Sequence, residues 1–350
     1  MDSEELSSLL SKFADLTILV IGDFFLDRYF LIDPDIAETS VETGLEAHQV
    51  VEIRNSPGAA GTVTNNLCAL GVGRVLALGV VGDDGHGFDL TQGLRGTGVD
   101  TSQLISTPDR YTPTYTKPIR NSSGDEMGRF DVKNRSTTPV GLESQILDRL
   151  PLLCNQADGV IILDQVQESD CGVITVKVRE ALAKLASTNT RPILADSRSH
   201  IAEFRNVILK PNADELADLI ADETDPNIAA LSLAQRTDRP VIFTRGSEGI
   251  ITSDGSATWS IPGIQVPKPI DIVGAGDTVS AAVTSALAAR ANLPDAALLG
   301  VIASSITVQQ IGTTGTATPD QIVNRFSDEY PDGFEPSDIA LQPRTGPHDS

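Results

Sequence analysis

The sequence predicts an α/β layered fold in which parallel strands are joined by crossover helices. Three observations predict it. Short apolar, β-branched runs recur along the 350-residue chain, segments of helical periodicity separate them, and acidic residues (Asp23, Asp164, Asp196) sit where several runs end. Strand-then-helix alternation builds a parallel sheet covered by helices. In such sheets ligands bind beyond the carboxyl ends of the strands.

The elements follow in order. Leu6, Leu9, Leu10 and Phe13 recur at helical spacing and predict a short amphipathic helix. Thr17–Ile21 reads as a buried strand ending in Gly22-Asp23. Similar runs lie at Val75–Val81, Gly159–Leu163, Pro192–Ala195, Asn206–Leu209 and Pro240–Thr244. Helical periodicity marks Thr62–Leu70, Asp89–Thr97, Leu142–Leu150, Cys171–Ala186, Asp214–Ala221, Ile228–Thr237 and an Ala/Ser/Val-rich run at 279–291. Two segments break the alternation. Residues 31–55 and 111–135 hold Pro, Thr, Val and alternating polar residues, with a turn at Asn121-Ser122-Ser123-Gly124. They read either as a small β lid over the cleft or as two surface loops. The reading is one domain over 1–330 and a tail over 331–350, weakly ordered beyond about Leu341.

Composition narrows the function. A net charge of −22 argues against nucleic acid and anionic membrane as partners. It leaves a phosphate ligand open, because a site needs only local positive potential. Cys68, Cys154 and Cys171 are widely spaced without a CxxC, which suggests reduced thiols in a cytoplasmic protein. Glu4, Glu5, Lys12 and Asp15 rule out a signal peptide at the N-terminus. Arg290, Asn292, Pro294 and Asp295 interrupt the apolar stretch 279–308, so it is not a membrane span. Four scattered histidines make no metal site, and neither a P-loop nor a GxSxG elbow is present.

The most informative stretch is Asp271-Ile272-Val273-Gly274-Ala275-Gly276-Asp277-Thr278. Small residues let backbone N–H groups approach an anion, and a helix N-terminus aims partial positive charge at it. A carboxylate beside a bound phosphate is repulsive unless it has a task. Taking the proton of a hydroxyl that attacks the phosphate is such a task. The alternative is a plain glycine turn.

Four further constellations carry chemistry. Gly58-Ala59-Ala60-Gly61, with Thr62, Asn65 and Asn66 after it, allows close backbone approach to a polar ligand or is a structural turn. Asp23 and Asp27 lie four apart at a strand end and suit pairs of sugar hydroxyls, or else Asp23 caps and Asp27 is solvated. Asn212 and Glu215 either hold Mg²⁺ waters or form a capping box. Thr244-Arg245-Gly246-Ser247-Glu248-Gly249 is a glycine turn suited to a nucleotide or to a hairpin.

In this order the motifs resemble the ribokinase-like, or PfkB, carbohydrate kinase family over roughly residues 15–320. Val20-Ile21-Gly22-Asp23, Leu26-Asp27-Arg28-Tyr29, Pro113-Thr114-Tyr115-Thr116-Lys117 and Arg129-Phe130-Asp131 resemble the heptose 7-phosphate kinase module of bifunctional ADP-heptose synthesis enzymes. The resemblance implies a three-layer sandwich with a mostly parallel central sheet and a β lid. It implies an ATP-dependent sugar kinase that uses Mg²⁺, with K⁺ as a candidate monovalent ion. Asp277 would be the catalytic base and Gly274, Ala275 and Gly276 the anion hole. Asn212 and Glu215 would support Mg²⁺ and phosphates. Thr244, Arg245, Gly246 and Gly249 would form the nucleotide turn. Asp23, Asp27, Gly58, Thr62 and Asn66 would face the sugar, and Asp271 would belong to the cation loop. Gly82-Asp83-Asp84 matches a family turn of structural role. The chain ends without a nucleotidyltransferase-like segment, so such an activity would lie on another polypeptide. A homodimer through the lid edge is a further expectation.

The sequence departs from the pattern at several points. Thr62 replaces the usual sugar-binding Asn, and Val273 stands where Thr is common. Gln165-Val166-Gln167-Glu168 replaces a Tyr-Ala-Lys-Gly turn, which removes a Lys and adds a negative charge. These changes spare the phosphoryl-transfer end and leave the acceptor open: heptose 7-phosphate, or a ketose, pentose or nucleoside. A binding protein without kinase activity is the alternative from another class. A dinucleotide-dependent oxidoreductase is disfavoured, since no GxGxxG follows the first strand.

Overall fold

A computed structural model describes residues 1–220 and 225–339. Ala221, at the end of one expected helix, and the tail beyond Leu341 lie outside the described residues.

Among the described residues the central sheet has nine strands. Val241–Thr244, Ile208–Leu209, Ile193–Ser197, Gly159–Asp164, Thr17–Gly22 and Arg74–Leu78 run parallel in that spatial order. Gly249–Ser253, Thr258–Pro262 and Ser337–Asp338 extend one edge antiparallel. The parallel strands read as continuous apolar runs because both faces are covered. Ile18, Val20, Ile161 and Leu163 pack into one core layer, and Leu19, Ile21, Val160 and Ile162 into the other. The period-2 alternation thus divides each run between two helical layers, giving a three-layer sandwich.

The helix Ala275–Ala288 explains its own composition. It packs against Leu293–Thr307, Ala60–Ala69 and the sheet, and every residue from Thr278 to Ala286 is buried. A helix enclosed on several sides requires small side chains.

The segments outside the main sheet do meet. Phe24–Thr39, Glu46–Ala59, Thr114–Arg120 and Phe130–Val132 form a separate four-stranded sheet. Phe24–Thr39 pairs antiparallel with Glu46–Ala59 and parallel with Thr114–Arg120. The strands start earlier than the sequence pattern indicates, because Phe24–Phe30 already alternate against residues 53–59. The run Val75–Val81 is two strands, broken at Gly79, where a Cβ would strike the Phe24 ring. Residues 171–175 are not helical as the periodicity suggests. The helix is Val176–Ser187, begun by Thr175, whose hydroxyl accepts from Val178 N. No helix among the described residues is long and apolar enough to cross a membrane.

Candidate active site

The site lies beyond the carboxyl ends of the parallel strands. Gly274 has φ +83°, a left-handed conformation, and caps the helix that opens at Ala275. Asp277 stands in the first turn. A left-handed residue there turns the chain so that the Gly276 and Asp277 amides stand at the helix's open N-terminus, whereas the Ala275 amide, expected in the anion hole, donates instead to Ile272 O at 3.2 Å. Gly276 is exposed, and a Cβ on it would lie 3.5 Å from Lys210 Nζ.

Lys210 and Asp196 come from adjacent strand ends. Lys210 Nζ is 2.9 Å from Asp196 Oδ2, and the two residues are 4% and 9% exposed. Ser280 Oγ, one turn beyond Asp277, donates to the same oxygen at 3.0 Å. Burial pulls the Lys210 value down, but Asp196, Asp277 and Glu215 outweigh it, so Lys210 stays above the usual lysine value and charged. Burial pushes Asp277 up to about 8, with Asp196 and Asp27 adding to the rise and Lys210 and Arg198 opposing it. A carboxylate that holds its proton this tightly is matched to abstract one near neutral pH.

Asp27 approaches from the separate sheet. Burial raises its pKa against the pull of Lys117 and Arg129. Gly58 pairs across the strands from Phe25, and a Cβ at Gly58 would collide with the Asp27 carboxylate. The glycine is therefore the space in which Asp27 sits.

Other expected site residues are used differently. Asp23 is 4% exposed, and its oxygens accept Gln165 N (2.9 Å), Val166 N (3.1 Å) and Val173 N (2.8 Å). With three of its roughly four acceptor positions taken, it holds the 165–173 loop while still lining the neighbouring cleft; burial raises its pKa to about 6. Thr62 is 2% exposed, and its hydroxyl donates to Pro57 O at 3.5 Å. Its methyl group faces Gly274. Asn66 is 1% exposed; it donates to Thr62 O (3.0 Å) and accepts from Thr278 Oγ1 (3.0 Å). Thr62 and Asn66 therefore fasten the Ala60–Ala69 helix to the helix bearing Asp277 and do not line an acceptor space. Of the three strand-end acids, Asp196 joins Lys210 and the Asp277 helix, and Asp23 lines the neighbouring cleft. Asp164 is tied to Ser197 and His200.

Asn212 and Glu215 form a full capping box: Asn212 N donates to Glu215 Oε2 (2.9 Å), and Glu215 N donates to Asn212 Oδ1 (3.0 Å). Burial raises the Glu215 pKa, opposed by the Asn212 amide. Thr244 Oγ1 donates to Pro211 O at 3.3 Å, Arg245 pairs with Glu248, and Gly246 and Gly249 both have positive φ. Asp271 accepts from Val273 N (3.0 Å) and Gly312 N (3.4 Å), tying the loop before Gly274 to the chain after the Leu293–Thr307 helix. As expected, Asp84 is structural: it caps a helix through Gly87 N and holds Thr112.

A cleft lined by Asp23, Phe25, Tyr115, Lys133, Gln165 and Arg198 among others opens near this group but takes in none of Asp277, Lys210 and Asp196. Lys210 and Arg198 are the site residues that sequence reasoning passed over, while Asp196 was marked only as a strand-end acid. The only signal for them is position, immediately at or after a strand end.

A family model described as pfkB family carbohydrate kinase matches residues 18–321. The Bifunctional protein HldE of Trichlorobacter lovleyi is 30% identical over 343 residues, covering 95% of this chain and 67% of that protein. The same-named protein of Geobacter sulfurreducens is 29% identical over 341 residues, with the same coverage. Ribokinase from Thermotoga maritima superposes with a TM-score of 0.67 at 17% identity, covering 89% of this chain and 99% of that one. Escherichia coli phosphofructokinase-2 in complex with potassium gives 0.69 at 19% identity and the same coverage. Arabidopsis thaliana ribokinase complexed with ribose and ATP gives 0.65 at 19%, covering 89% and 98%. At these identities the structures show the shared fold.

Proposed function

The chain belongs to the pfkB family of carbohydrate kinases and is an ATP-dependent sugar kinase; from that membership we propose how its residues divide the work. Asp277 is the base. The sugar hydroxyl gives its proton to an Asp277 oxygen, its own oxygen bonds to the γ-phosphorus, and the bond from phosphorus to the bridging oxygen of ADP breaks. The amides of Gly274 and Gly276, with Lys210 behind them, receive the charge on the moving phosphoryl group, and Ala275 serves by holding the turn through Ile272 O. The observation that carries this reading is the placement of Asp277 in the first turn of its helix, its pKa raised to about 8 beside the Lys210–Asp196 pair.

Asp27, held over Gly58, orients the acceptor hydroxyls. Thr244, Arg245, Gly246 and Gly249 flank the nucleotide. Mg²⁺ fits the donor set at Glu215: one carboxylate oxygen takes the Asn212 amide, and the other, without a hydrogen bond among the described residues, would take a metal-bound water. Among the described residues no group of three or more His, Cys, Asp or Glu makes a closed metal cage, which suits an ion held largely by water and phosphate oxygens. Bound there, Mg²⁺ would neutralise phosphate charge. K⁺ is the candidate for the loop around Asp271, where carbonyls and the carboxylate's remaining lone pairs would hold it.

The four-stranded sheet serves as a lid over the acceptor, excluding water and so suppressing ATP hydrolysis. Its outer strand is an unpaired edge, and Ile36, Val50, Val51 and Ile53 are exposed on the lid. A second copy paired lid to lid would cover them. The domain is taken as 1–330 with these lid segments included, and the start of the tail, Ser337–Asp338, adds a strand to its sheet.

The test is an ATP-consumption screen over sugars and sugar phosphates, heptose 7-phosphate and simple ketoses, pentoses and nucleosides among them. Transfer to at least one acceptor, lost in Asp277→Asn, is expected. ATP and sugar binding with no product from any acceptor would instead support a binding protein.

A further inference from the structure

A buried polar cluster lies one layer behind the site and takes no part in the chemistry above. Asp164 accepts from Ser197 Oγ at 2.8 Å, contacts His200 Nδ1 at 3.2 Å and meets Arg179 Nη1 at 3.5 Å. Ser197 Oγ in turn accepts His200 N at 2.9 Å, and the Asp164 carbonyl accepts Arg198 N at 3.0 Å. Ser197 and His200, on either side of Arg198 in the turn, are thereby fixed to Asp164, which is 2% exposed. Such a cluster is expensive to bury unless each member is satisfied, and its product is one rigid turn.

That turn presents Arg198. The Arg198 side chain is exposed, lines the cleft with Phe25 and Tyr115, and makes no hydrogen bond or ion pair among the described residues. The other cations of the cleft are committed. Arg110 donates to the carbonyls of Ser136, Thr137 and Cys171, and Lys133 lies 3.7 Å from Asp131. The charge of Arg198 reaches Asp277, Glu215 and Tyr115, the first two on the phosphoryl side and the third on the acceptor side.

We propose that Arg198 is a further catalytic residue, whose guanidinium contacts the phosphoryl group as it passes from ATP to the acceptor, and that the Asp164–Ser197–His200 cluster positions it. The proposal rests on the reading of Asp277 as the base. A fixed fork of donors matches phosphoryl oxygens, and a charge placed before the reaction needs no reorganisation when the transition state forms. It also accounts for a cation left unpaired beside two carboxylates.

The test uses the full chain with Arg198→Met and Arg198→Lys. Two readings are taken: steady-state kinetics with the best acceptor, and calorimetric binding of ADP alone and of ADP with aluminium fluoride, a mimic of the moving phosphoryl group. Arg198→Met is expected to lower kcat by about 10²–10³-fold, the size typical for loss of one preorganised donor, with KM values changed less than that. It should weaken the aluminium fluoride complex by a similar factor and leave ADP binding unchanged, with Arg198→Lys intermediate. The acid limb of kcat/KM should move to higher pH in Arg198→Met, because one charge opposing the Asp277, Asp196 and Asp27 carboxylates is gone while Lys210 remains. Equal aluminium fluoride binding by Arg198→Met and wild type, or a loss confined to acceptor KM, would overturn the proposal. Failure of Asp277→Asn to lose activity would instead strike the base assignment.

Discussion

Lys210 Nζ lies 2.9 Å from Asp196 Oδ2, and this buried pair underlies the loop that opens at Gly274. Its two members come from neighbouring strand ends, so the sheet itself sets their separation. Removing one partner leaves a buried charge unpaired. Lys210→Met is expected to cost about 3–5 kcal/mol of stability, measured by urea denaturation. Adding Asp196→Asn should recover much of that loss without restoring activity.

Asp277→Asn is expected to reduce kcat by about 10²–10⁴-fold. In the wild type the base form prevails above its folded pKa, so kcat/KM should climb as pH rises toward about 8 and then level off. The same value has a consequence for stability. Its folded pKa lies above the unfolded value of 3.8, so the favourable contribution is complete below pH 3.8 and is lost as pH rises through about 8. The Asn variant avoids that loss. Its melting temperature should gain on the wild type as pH is raised from 3.8 to about 8, and a constant difference would count against the raised pKa.

Gly58→Ala places a methyl group where the Asp27 carboxylate sits. The carboxylate must move away from the acceptor space. We expect acceptor KM to rise by roughly tenfold or more, the effect of about 1.4 kcal/mol of lost binding, with ATP affinity unchanged. Initial rates at varied sugar and fixed ATP measure it, and an unaltered acceptor KM would exclude Asp27 as a sugar contact.

Asp23→Asn keeps one acceptor oxygen and turns an amide against backbone donors. Three N–H groups currently end on the carboxylate, at Gln165, Val166 and Val173. The variant should lose about 1–3 kcal/mol and show faster hydrogen exchange at those amides, because the 165–173 loop is released.

The fold was legible because each parallel strand is apolar on both faces and each crossover helix carries its own periodicity. The Gly274–Asp277 loop was legible for a similar reason: it is local, with conformation and charge within four residues. What could not be read was non-local. Lys210 and Asp196 are paired across two strands and are separated by a helical turn and loop in the sequence. Asp23 resembles a sugar contact in sequence, but Val173 N, 150 residues away, claims it. Thr62 and Asn66 carry ligand-like side chains, yet helix packing encloses them. Residues 171–175 show helical periodicity because Cys171, Val173 and Ile174 are buried, but they are buried from an irregular segment folded around Asp23.

The first two lid strands leave the core and return to it at nearly one point. Ala60 N donates to Asp23 O at 3.1 Å, so the strand going out and the helix coming back share a single fulcrum. Beyond that fulcrum the Ala60–Ala69 helix carries Thr62, whose methyl abuts Gly274. The outer sheet and the glycine that shapes the helix start are thus linked through a single turn of helix, with Thr62 as the hinge pin between them.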